Sequence, residues 1–142
     1  MYTFFLDLHN YLRWAVLIVG LAAIVMAWAA TASRGRWTPP QVNLGRLFTG
    51  VFDLQVLVGV VLYVFLSPLT KSAFSDMGAA MKNSDIRFFL AEHLVGMVIA
   101  AVLLHIGAAR AKSKDSPLQA AIFYTIGFIV VLASIPWGRP LF

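Results

Sequence analysis

All the imidazole in this 142-residue chain comes from three histidines, His9, His93 and His105, and there is no cysteine. Without thiols, a disulfide framework, a thiolate metal site and covalent haem attachment through a CxxCH run are all closed to it. Two neutral imidazoles on opposite faces of an iron are one of the ligand sets that hold a haem, and helical bundles build such sites from facing helices. His9 opens the cluster HNYLR, in which Arg13 lies four residues on and so shares its helical face. His93 follows Glu92, and Gly96, three residues later, lies on nearly the same face. His105 has a different candidate partner, the carboxylate of Asp53.

The elements that carry these residues are set by composition. The chain is 61% hydrophobic and 12% charged, with a mean hydropathy of +0.83, well beyond a soluble domain. Its apolar residues form four blocks, each near the roughly 20 residues that a spanning helix needs. They predict an all-α integral membrane four-helix bundle, one transmembrane domain over 1–142, with helices at about 5–33, 44–66, 86–110 and 118–136. Barrel strands would alternate over about 10 residues, and these blocks do not. The first helix ends in AWAATA, small residues of the kind a signal peptidase cuts after. Asp7 precedes Arg13 where a signal peptide would be basic, so it reads as a retained span.

The connections orient the bundle. Arg34, Arg36 and Arg46 stand between the first two helices with no acid, and Arg110, Lys112 and Lys114 face Asp115 alone after the third. The middle connection balances Lys71, Lys82 and Arg87 against Asp76 and Asp85. The basic excess makes the first and third connections cytoplasmic and puts both termini outside, in the periplasm of a bacterial inner membrane. Topology thus accounts for the net charge of +5 and the pI near 10, and nucleic acid is not expected as a partner.

Polar residues within the spans then sort into two layers, and each is a functional hypothesis because ionisable groups are costly in hydrocarbon. At the exterior end, His9 and His93 come from parallel helices and can clamp one haem b. Arg13 can pair a propionate, Gly96 can admit the porphyrin edge, and Tyr11, Trp14, Phe88 and Phe89 can wall the ring. Counted from the expected helix ends at Ser33 and Arg110, the two histidines are offset by about 10 Å in depth, which calls for tilt or sliding. Otherwise His9 is an interfacial residue and His93 bonds within the bundle. At the other end, Asp53 can accept from one nitrogen of His105 and leave the second for a proton, a quinone oxygen or a chlorophyll magnesium; the alternative is a polar pair that specifies packing. Gln55, two residues from Asp53, faces elsewhere.

The connection SPLTKSAFSDMGAAMKNSD spaces Phe74, Met77 and Met81 as a surface helix would, over about 71–82. Gly20, Ala22, Ala23, Gly59 and Gly127 suit close helix contacts. The last helix carries no charge between Gln119 and Trp137 and suits docking to a partner subunit. No phosphate loop and no nucleophile beside a base points to a kinase or hydrolase.

The segments LDLHNYLRW, MKNSDIRFFLAEH and LLHIGAARAKSK, which span most of the chain, resemble a family of small four-helix bacterial membrane proteins labelled cytochrome b-like. The resemblance implies His9, Arg13, Glu92, His93 and His105 as polar positions. Relatives often carry a histidine near the start of helix two where this chain has Asp53 in GVFDLQ, which leaves His105 without a second imidazole. The expected function is electron transfer in a respiratory or photosynthetic membrane through one haem b on His9 and His93, with quinone exchange near Asp53 and His105. The alternatives are a cofactor-free accessory subunit of a larger complex and a chlorophyll-binding subunit.

Overall fold

The computed structural model describes residues 1–33, 37–114 and 116–138, the side chains of Ser113 and Lys114 aside. The charges at Arg34, Arg36 and Asp115, used for orientation, lie outside the described residues. Among the described residues the chain is almost entirely helical, without strands.

α1 runs Tyr2–Ala32. α2, Pro39–Val61, begins five residues before the expected 44, because Pro39 and Pro40 occupy a first turn that needs no N–H. Thr38 N–H donates to Gln41 Oε1 at 2.9 Å, closing that start. The helix continues through a π-helical turn, Leu62–Leu66. Ser67, followed by proline, ends it and caps α3, Pro68–Ser75. The single surface helix expected over 71–82 is instead two. Asp76 leaves helical geometry (φ −144°), and its Oδ1 accepts from Ala79 N–H at 3.0 Å to open α4, Met77–Lys82. Asn83 caps α5, Ser84–Arg87. A second π-helical turn, Phe88–Glu92, leads into α6, His93–Lys114, which runs past the expected end at Arg110. α7 spans Pro117–Ala133, with Ser116 accepting from Gln119 N–H at its start.

Three of these stretches, Tyr2–Ala32, Pro39–Leu66 and Ser84–Lys112, are long and apolar enough to cross a membrane; α7 is apolar but shorter, at 17 residues. α1 packs on α2 and α7, and α6 packs on the same two. The core between them holds Val16, Phe48, Phe52, Leu104 and Tyr124, all essentially inaccessible. Phe48 meets Tyr124 and Phe128 edge-on, with ring centres 5.8 and 6.3 Å apart. Glycine makes this approach possible: a methyl on Gly20 would lie 2.6 Å from the Phe48 ring. Outside the core, Ile18, Leu21, Leu54, Leu57, Val98, Val102 and Ile129 are exposed, an apolar exterior of the kind that meets lipid.

Candidate functional site

The opening turns of α1, the end of α2, the start of α6 and the end of α7 enclose a cavity of about 400 Å³, within the size range of cofactor sites. Both His9 and His93 line it. Their ring centres are 6.3 Å apart with planes at 73°. The depth offset expected from sequence is absent, because α6 continues to Lys114. His93 stands 21 residues before that end and His9 stands 23 before Ala32, a difference of about 3 Å along the axis.

Each imidazole is backed by a neighbouring helix. His93 Nδ1 lies 2.7 Å from the Ser134 carbonyl oxygen. A carbonyl only accepts, so Nδ1 donates and Nε2 keeps its lone pair. Ser134 reaches this position because Gly96 has no side chain: a methyl there would overlap Ser134 Oγ and Cβ. Gly96, expected to admit a porphyrin edge, thus faces α7 and is not among the residues around the cavity. The residue that does meet a histidine closely is Gly59 on α2. A methyl on Gly59 would lie 3.0 Å from His9 Cε1, so its absence makes room for the ring. His9 Nδ1 is buried and makes no hydrogen bond, and the backbone of Gln55, one turn before Gly59, lies beside the ring.

The π-helical turn before His93 sorts its neighbours. Residues five apart on an α-helix lie about 140° apart. Across this turn, whose hydrogen bonds close over five residues, Arg87 Nε instead reaches Glu92 Oε1 at 3.0 Å. Glu92 is therefore held on the exposed side and does not face the cavity. Tyr63 hydroxyl donates to the Leu90 carbonyl inside the turn at 3.0 Å, and Thr70 hydroxyl donates to the Tyr63 carbonyl at 2.8 Å. These two bonds tie α3 to the continuation of α2, and that continuation to the turn before α6, and Tyr63 and Thr70 both line the cavity.

Of the aromatics expected as a wall, Phe88 and Phe89 lie 6.3 and 6.4 Å from the His93 ring. Trp14 instead takes the Arg13 guanidinium at 5.9 Å, and Tyr11 is exposed. Arg13 lines the cavity. So does Gln55, which sequence reasoning set aside; it is 7% accessible and its Oε1 has no hydrogen-bond partner. Gln55 and Gly59 are four apart on one face of α2. A polar residue one turn before a glycine in an apolar span was the available signal.

The second layer forms as well. His105 Nε2 and Asp53 Oδ1 are 2.9 Å apart across α6 and α2, both side chains half-exposed. Among the described residues, no three His, Cys, Asp or Glu side chains gather around a common metal position; a haem asks only two imidazoles of the protein.

No protein-family model matches the chain, and none of the curated proteins or solved structures does. The cytochrome b-like resemblance rests on the three quoted segments alone.

Proposed function

We propose that this chain is a four-span bacterial inner-membrane protein with both termini outside, holding one haem b between α1 and α6 near its exterior face. His9 and His93 would hold it through their imidazoles, and the protein would then relay electrons within a respiratory or photosynthetic membrane. The observation that carries this reading is the pairing of the two imidazoles, from different helices, in one cavity. Their ring centres are 6.3 Å apart, and two imidazoles from facing helices are a ligand set that would hold a haem.

The surroundings fit the same ligand set. The Ser134 carbonyl fixes the His93 tautomer and ring plane, the usual arrangement behind a metal-bound histidine. The buried nitrogen of His9 without a hydrogen-bond partner is a polar group whose desolvation a metal bond would offset. Arg13, on the cavity wall one turn deeper than His9, supplies positive charge for a propionate. When bound, the haem supplies a one-electron carrier. The chain's part is to hold both imidazoles, exclude bulk water and set the local dielectric.

The deciding experiment is a dithionite-reduced minus air-oxidised spectrum of protein purified with its native lipids. A sharp α band of low-spin haem b is expected. A flat difference spectrum overturns the reading in favour of an accessory subunit without cofactor, and magnesium-porphyrin absorption without redox change in favour of a pigment protein.

A further inference from the structure

Arg46 and Lys112 take no part in the haem reading. Arg46 lies two turns into α2 and Lys112 in the last turn of α6, yet both line one groove of about 250 Å³ at the basic end of the molecule. Lys112 is 19 residues from His93 on the same helix, about 28 Å, so this groove is separate from the histidine cavity. Val42, Ala108 and Ala111 form its walls, short side chains that keep it open.

The charge in the groove has one sign. Among the described residues no Asp or Glu lines it. His105 also borders it, but is paired with Asp53 Oδ1 at 2.9 Å, and that pair adds no positive charge. The first turns of α2 and the last turns of α6 lie side by side here, so their opposed dipole ends offset one another and the charge comes from Arg46 and Lys112. Both residues are exposed, within reach of an anion that would relieve their mutual repulsion.

What carries that anion follows from where the groove lies. It sits at the basic end of the apolar spans Pro39–Leu66 and Ser84–Lys112, and further along the same spans Leu54, Leu57, Val98 and Val102 are exposed. An anion bearing acyl chains meets charge at its head and apolar surface along its tails; a soluble anion gains only the first. A guanidinium matches two oxygens of one phosphate, and an ammonium adds a point charge. A zwitterionic headgroup brings its own ammonium, which both cations repel.

We propose that this groove binds one anionic phospholipid, with its phosphodiester between Arg46 and Lys112 and its acyl chains along the outer surfaces of α2 and α6. The site rests on the membrane reading and needs no haem. Its failure is therefore separable from that of the haem assignment, which the redox spectrum tests independently.

The test is native mass spectrometry of the full chain, delipidated in detergent and equilibrated with dioleoylphosphatidylglycerol or dioleoylphosphatidylcholine. The first phosphatidylglycerol should bind about 25-fold more tightly than the first phosphatidylcholine, at about fivefold for each cation beside an anionic headgroup. Arg46→Gln and Lys112→Gln should each lose about fivefold of that preference, and the double variant all of it. Ala108→Leu fills the groove without altering charge and should weaken phosphatidylglycerol binding as well. Arg110→Gln is the control, because Arg110 lies at the same end of α6 but does not line the groove, and it should leave the preference intact. Equal binding of the two lipids by the parent, or a preference retained by the double variant, overturns the site. An equal loss in Arg110→Gln overturns it in favour of a diffuse basic rim. Displacement of phosphatidylglycerol by inorganic phosphate, at an ionic strength where chloride displaces none, overturns it in favour of a soluble phosphate. A dimer of the parent that Ala108→Leu breaks, with no lipid bound, overturns it in favour of contact between copies of the chain.

Discussion

His93 Nδ1 and the Ser134 carbonyl oxygen meet at 2.7 Å across 41 residues of sequence, and this one bond ties the end of α7 to the ring of a candidate ligand at the start of α6. It exists because Gly96, one turn along α6, leaves room for the Ser134 side chain. The arrangement gives Gly96→Ala a specific consequence. The added methyl overlaps Ser134, and overpacking of this kind costs about 1–3 kcal/mol. Gly96→Ala should destabilise the protein in SDS-titration unfolding and broaden any haem band. Ser134→Gly combined with it should recover most of the loss, since the obstructing Cβ and Oγ are gone. A double variant as unstable as Gly96→Ala alone would refute the contact as the cause.

A haem held by both imidazoles would give the two histidines equal weight. His9→Ala and His93→Ala should each abolish the low-spin α band, with helical content by far-UV circular dichroism unchanged. A band that survives in His9→Ala would show that His93 ligates with another partner. A single-ligand pigment would give that same asymmetry.

Gly59 connects packing to the same site. Its missing Cβ leaves room for His9 Cε1, so Gly59→Val should push the imidazole off its position and weaken haemin uptake by about tenfold or more, the equivalent of roughly 1.4 kcal/mol. Gly50 is the control, since a methyl there would meet nothing within 4 Å. Gly50→Ala should leave uptake unaltered. Equal effects at the two positions would mean that helix propensity, and not space for His9, is the cause.

What the sequence displayed of this arrangement follows the physics of each signal. Apolar blocks, the level of Asp53 with His105 and the shared end for His9 and His93 are consequences of periodicity and rise, which are visible in one dimension. Ending α6 at Arg110 puts His93 at the wrong depth, although nothing in Ala111–Lys114 opposes helix. In the surface connection, Phe74, Met77 and Met81 keep the spacing of one helix across Asp76, which breaks it as a cap. Glu92 and Gly96 were assigned by α-helical phase, which the π-helical turn at Phe88–Glu92 changes for Glu92. The roles of Gly59 and Gln55 depend on which helix lies opposite, and no local pattern encodes that.

The absence of cysteine makes orientation directly measurable. Ser72→Cys, on α3, should react with a membrane-impermeant maleimide added to spheroplasts. Ser33→Cys, at the end of α1, should react only after the membrane is opened. The reverse pattern would place the His9–His93 cavity on the cytoplasmic side and invert the proposed topology while leaving the ligand geometry intact.

Glu92 supplies the final contrast. Sequence placed it with the candidate ligands, whereas its carboxylate pairs with Arg87 on the exposed side of the π-helical turn. Both side chains are about half accessible, and an exposed pair of this kind contributes about 0–1 kcal/mol, screened further by salt. Glu92→Gln should therefore leave the haem spectrum and the midpoint potential unchanged and alter stability by less than about 1 kcal/mol. A shift in potential comparable to that of a cavity-wall variant such as Arg13→Gln would show that the carboxylate acts on the cavity despite its outward orientation. The assignment of Arg13 as the charged wall residue would then pass to Glu92 and Arg13 jointly.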